Sequence, residues 1–122
     1  MSASARALVV CQVAERRLAA LAKQAEATAA AFERRSRAEA ERVQRSRNAL
    51  EHRPAWTCHA CSAMTLRETR GAAIIDASLA TASRARESRR EHASQRLRWA
   101  QLRRGLERRL ARQARKDRRW PD

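Results

Sequence analysis

Two thiols and two imidazoles stand close together near the middle of the chain, in the stretch EHRPAWTCHACSAMT from Glu51 to Thr65. Cys58 and Cys61 form a Cys-x-x-Cys, with His59 inside it and His52 just upstream. Thiolates at this spacing can chelate one zinc ion, which then needs two further ligands. No second Cys-x-x-Cys follows, and Cys11 is far away along the chain. A four-ligand zinc site would therefore draw on Cys58, Cys61, His52 and His59 together, or on a second chain. Disulfide exchange is the weaker alternative, because the β-α-β setting of thioredoxin-like motifs is missing. The plainer reading is preferred over both: loop residues with Trp56 packed over the end of a helical pair, no cofactor, and Cys58 and Cys61 without a catalytic role.

The second set of reactive groups is cationic. From Arg96 to Arg119 there are eleven basic residues against only Glu107 and Asp117. Arginine makes planar bidentate contacts with carboxylate or phosphate, so Arg103, Arg104, Arg108, Arg109 and Arg112 are the candidate contacts to an acidic partner. Trp56 and Trp120 are the candidate apolar contacts, since Trp120 lies beside Pro121 beyond the expected helix, whereas Trp99 belongs to a helical stripe. His92 sits among Arg89, Arg90 and Glu91 and reads as a surface residue. There is no glycine-rich phosphate loop and no Ser/His/Asp arrangement in a pocket that could fold, so no enzyme is expected.

Two long helices must carry these groups. Proline has no amide hydrogen and pushes the residue before it out of the α region, so Pro54 ends the first helix near Leu50. Thr65-Leu66-Arg67-Glu68 fits a capping box and predicts a second helix from Leu66. The expected organisation is one all-α unit over residues 1–122, with a helix over 4–50, a hinge over 51–65 and a helix over 66–119. At ~1.5 Å per residue these helices measure roughly 70 and 80 Å. Leu8, Cys11, Ala14, Leu18, Leu21, Ala25, Thr28 and Phe32 alternate in steps of three and four, which is a heptad seam. Ser36 and Ala40 then add a four-residue step, a stutter that unwinds the supercoil locally. On the second helix Leu66, Ile74 and Leu79 anchor the start, while Leu97, Trp99, Leu102, Leu106 and Leu110 form a later stripe. Folding back antiparallel brings Leu50 opposite Leu66, so facing residue numbers add to about 116 and Leu18 meets the turn of Trp99. Both ends then pack well and the middle, where Glu33 to Arg37 meets Asp76 to Arg84, is loose.

Composition supports that organisation. Three tryptophans, one phenylalanine and no tyrosine give little bulk for a globular core; two glycines and two prolines leave long stretches of strong helix formers uninterrupted. The net charge is +15, from 28 basic and 13 acidic residues, a balance suited to nucleic acid, an acidic protein surface or an anionic membrane. The arginine and alanine excess also fits a GC-rich coding sequence. No apolar run reaches the ~18 residues a membrane span needs. Leu8-Val9-Val10-Cys11 is too short for a secretory leader and Glu15-Arg16-Arg17 follows at once. With an odd number of cysteines, a cytoplasmic protein is expected.

The Trp56-Thr57-Cys58-x-x-Cys61 run is similar to the opening of a small zinc finger, but its second half is missing. Over the whole chain, a short, basic, Arg/Ala/Glu/Leu-rich sequence folding into one helical hairpin resembles the stalk proteins of type III secretion, FliJ of the flagellum and its injectisome counterparts of the YscO and Hrp types. The resemblance lies in architecture, length and composition. It implies a cytoplasmic stalk, peripheral at the inner membrane, whose two-terminus end contacts a hexameric secretion ATPase and whose hinge end contacts an export-gate protein, with secretion chaperones as further partners. The Cys-x-x-Cys is no part of that family's pattern. A nucleic-acid-binding coiled coil is the main alternative and a zinc-stapled assembly adaptor the third.

Overall fold

A computed structural model describes residues 2–52 and 58–119, leaving aside the side chains of Cys58 and His59. The chain is all-α: helix α1 (Ala3–Glu51) and helix α2 (Cys58–Arg119) pack against each other as a hairpin. No peptide bond among the described residues is cis. Ser2 caps α1, its side-chain oxygen accepting from the amide of Ala5 at 3.1 Å, which satisfies one of the donors that a helix start leaves open.

α2 begins earlier than the capping-box reading places it. The expected start at Leu66 and the hinge over 51–65 are corrected to a helix from Cys58, eight residues sooner. Thr65 is inside that helix, and its hydroxyl donates to the carbonyl of Cys61 at 3.0 Å instead of accepting from Glu68. Threonine hydroxyls satisfy themselves on the preceding turn in this way, as Thr69 and Thr81 also do. Helix-forming residues from Ala60 onward thus override a signal that a mid-helix threonine also satisfies.

The packing resolves into two units, residues 1–25 with 88–122 and residues 26–87. Within each, the shielded positions obey a heptad abcdefg with a and d at the seam. On α1 these are Ser4, Leu8, Cys11, Glu15, Leu18, Ala22, Ala25, Ala29, Phe32, Ser36, Glu39, Val43, Ser46 and Leu50, every one buried or half-buried. The steps alternate four and three throughout, so the expected stutter at Ser36 does not occur. Ala14 and Thr28 flank this seam, while Leu21 and Ala40 face solvent. On α2 the seam runs through Met64, Glu68, Gly71, Ile75, Ser78, Ala82, Ala85, His92, Trp99, Arg103, Leu106 and Leu110, with two departures: the a positions Arg89 and Arg96 are exposed, and Ala100, at e, is buried. Leu66, Ile74, Leu79, Leu97 and Leu102, expected in the seam, are exposed. His92, expected at the surface, is half-buried, and its Nδ1 is buried without a hydrogen-bond partner among the described residues.

The unit formed by residues 26–87 is tight, not loose. Ala29, Ser36, Ser78 and Ala82 are all buried, because small side chains let two helices approach until little accessible surface remains between them. Gly71 marks a close approach: a Cβ built there would lie 2.5 Å from Cγ2 of Val43. Arg47 reaches across to Glu68 with Nε 3.0 Å from the carboxylate, and Arg86 pairs with Glu33.

In the unit formed by residues 1–25 and 88–122, Cys11 and Ala100 are buried, and Leu8, Leu18, Trp99, Leu106 and Leu110 are half-buried. Arg103 crosses the seam to Glu15 at 2.7 Å, which sets residue 18 opposite the turn holding Trp99. Facing pairs (Val43 with Gly71, Arg47 with Glu68, Glu33 with Arg86, Glu15 with Arg103) have residue numbers adding to between 114 and 119. The antiparallel register near 116 therefore holds within each unit.

Candidate functional site

The five candidate arginines lie on α2 in the first unit and divide into two kinds. Arg103 occupies a seam position. Its Nε donates to Glu15 at 2.7 Å and its Nη1 to Glu107 at 3.0 Å, and these two hydrogen bonds raise its pKa above the ordinary arginine value, outweighing desolvation. Two of its five N–H donors are engaged inside the unit, so Arg103 ties the helices together and, unlike its exposed neighbours, already has carboxylate partners.

Arg104, Arg108, Arg109 and Arg112 are exposed and have no ion-pair partner among the described residues. Arg104, Arg108 and Arg112 follow one another at four-residue spacing, which stacks them along one side of the helix about 6 Å apart by helical rise. Arg109 stands on the flank nearer the exposed Leu102. Four unneutralised guanidiniums on a rigid helix can take up carboxylates or phosphates without first breaking an internal pair.

Charge is unevenly divided between the units. Residues 1–25 and 88–122 hold seventeen basic and five acidic residues, whereas residues 26–87 hold eleven and eight. Of the net +15, +12 therefore belongs to the first unit and +3 to the second. The charge separates by side as well. The cross-seam pairs Arg47–Glu68, Arg86–Glu33 and Arg103–Glu15 use only a and e positions. In the first unit, the c, f and g positions of α1 from Ala3 to Gln24 and of α2 from Arg98 to Lys116 contain no Asp or Glu. Over those stretches the positions that form cross-seam pairs and the positions whose only charges are cationic are different surfaces, while Glu91, at a c position of the same unit, lies outside them.

The cysteine and histidine cluster is only partly in view. Cys61 and His52 are exposed, and the side chains of Cys58 and His59 lie outside the described residues, as do Trp56 and Trp120. Among the described residues no group of three or more His, Cys, Asp and Glu is placed to hold a metal ion. None of their helices is long and apolar enough to cross a membrane. The cationic side of α2, missed by no charge count, could be divided into committed and free arginines only once Arg103 was seen at a seam position, for which its four-residue distance from Trp99 was the available signal.

Fold and site together define a two-helix coiled-coil hairpin with a cationic face. No protein family, curated protein or solved structure matches the chain.

Proposed function

We propose that the chain is a non-enzymatic coiled-coil stalk or adaptor of a type III secretion export apparatus, cytoplasmic and peripheral at the inner membrane. In this reading the arginine-rich unit engages acidic side chains of a hexameric secretion ATPase, and the helix-connecting end engages the export gate, with secretion chaperones as additional partners. The observation that carries it is the row Arg104, Arg108 and Arg112 on a seam-packed helix, outward and unpaired. A protein that turns or rocks within a ring needs contacts that exchange among equivalent subunits, and exposed ion pairs of ~0 to 1 kcal/mol each suit that exchange.

The test is charge reversal of all three, Arg104→Glu with Arg108→Glu and Arg112→Glu, assayed on the secretion ATPase. Stimulation of ATP hydrolysis should disappear while helix content by circular dichroism is retained. Normal stimulation by the triple variant overturns the reading. So does tight binding of wild type to DNA or RNA at physiological salt with no effect on the ATPase, which would assign the same guanidiniums to phosphates.

A further inference from the structure

The two glycines of the hairpin sit in opposite surroundings. Gly71 is buried, and a Cβ there would collide with Val43, so close helix approach accounts for it. Gly105 is different: nothing lies within 4 Å of the position its Cβ would take. Glycine in a helix interior is unfavourable relative to alanine, and at Gly105 no internal contact repays that cost. Gly105 lies instead in a depression of about 500 Å³ on α2, lined by Arg98, Gln101, Leu102, Gly105, Leu106 and Arg109. Its apolar walls are Leu102, 57% exposed, and Leu106. Its two ends are guanidiniums eleven residues apart, about 16 Å along the helix.

We propose that this depression is a docking notch for one large apolar side chain of a partner helix that carries carboxylates about one to two turns on either side of it. The charge pattern selects this occupant. The surrounding c, f and g positions offer Arg98, Arg108, Arg109 and Arg112 and no carboxylate, so a second copy of this strongly basic chain would set like charges against each other. A nucleic acid would use the arginines but leave the apolar floor unfilled. A flat lipid surface would not enter a concavity between two guanidiniums. An acidic amphipathic helix fills both, in the manner of a helix laid on a groove by its apolar anchors. The proposal goes beyond the stalk reading, because any acidic helical partner satisfies it.

The probe is a synthetic helical peptide with a single central tryptophan on an otherwise alanine face and glutamates four and eight residues to each side. Its binding to full-length protein is followed by fluorescence anisotropy. Gly105→Leu places an apolar side chain on the floor of the notch, from a Cβ position with nothing within 4 Å, and favours the helix, so the variant is expected to stay folded, which circular dichroism checks. Wild type should bind the tryptophan peptide about tenfold more tightly than Gly105→Leu does. A peptide with alanine in place of the tryptophan should bind both proteins equally, which separates the notch from bulk charge. Arg98→Ser with Arg109→Ser should weaken both peptides. Equal binding of the tryptophan peptide to wild type and Gly105→Leu overturns the proposal. It is equally overturned if the Gly105→Leu substitution abolishes self-association in sedimentation, or abolishes binding to phosphatidylserine vesicles, while peptide affinity is unmoved.

Discussion

At the scale of single residues, position in the heptad decides what a side chain does more than its chemical type. Gly71→Ala should destabilise the hairpin although alanine is the better helix former, because overpacking costs about 1–3 kcal/mol against about 1 kcal/mol gained in propensity. The valine it meets is β-branched and stiff, so relief requires Val43→Ala, which should rescue the thermal midpoint in the double variant. Gly105→Ala should instead raise stability by about 1 kcal/mol. Arg103 and Arg104 are neighbours of the same type, yet Arg103→Ala should lower the midpoint and Arg104→Ala leave it unchanged, since only Arg103 leaves a carboxylate that is 14% exposed without its cross-seam partner. Glu33 supplies a pH signature. The Arg86 hydrogen bond, helped by the charges of Arg86 and Arg37 and opposed by desolvation, holds its carboxyl below the ordinary value of 4.5. A folded pKa below the unfolded one means a stabilising contribution present above pH 4.5 and lost as pH falls through the lower folded value. Acid titration of the midpoint should therefore show a step below pH 4.5 that Glu33→Gln removes.

At the scale of elements, the sequence was legible where a break or a register was at stake and misleading where side-chain size was taken for burial. Pro54 and the lack of other breakers made two helices readable, and matching Leu50 to Leu66 gave the antiparallel register to within a few residues, although Leu66 itself is exposed. The seam was read one residue off in several turns because large apolar residues attract the reading. Leu21, Leu97 and Leu102 are outside it, while Glu15, Ala22, Ala29 and Glu39 are inside. Alanine and serine can line a seam because closeness of the backbones, not bulk, excludes water. The difference is measurable. Ala29, fully buried, should tolerate enlargement poorly, with Ala29→Leu costing about 1–3 kcal/mol by overpacking. Leu21→Ala, at a position 36% exposed, should cost well under the 2–5 kcal/mol of a fully buried leucine. A seam through Leu21 and Thr28 requires the reverse order. The free and committed arginines were hidden for the same reason, since telling them apart needs the heptad phase.

At the scale of the whole molecule, charge sets two responses to salt with opposite signs. In the first unit, seventeen basic residues face five acidic ones. Arg104 with Arg108, Arg108 with Arg112, Arg112 with Lys116 and Arg115 with Arg119 are like-charge pairs at four-residue spacing, each unfavourable by about 0.2–0.5 kcal/mol at low ionic strength. In the second unit, eleven face eight, and pairs such as Arg42–Glu39 and Arg45–Glu41 are attractive at comparable strength. Salt shortens the screening distance from roughly 30 Å at 0.01 M to roughly 3 Å at 1 M, so it weakens repulsion in one unit and attraction in the other. Amide hydrogen exchange should slow with added salt across residues 88–119 and stay level or quicken across residues 26–87. Affinity of the free arginines for any acidic partner should fall over the same range, because those contacts are exposed charge pairs. A partner that binds more weakly in salt while its binding unit becomes more stable is held by the arginines that the fold leaves unpaired. Uniform salt behaviour across both units would place the excess charge in internal pairs instead, and the cationic face would lose its claim to a partner.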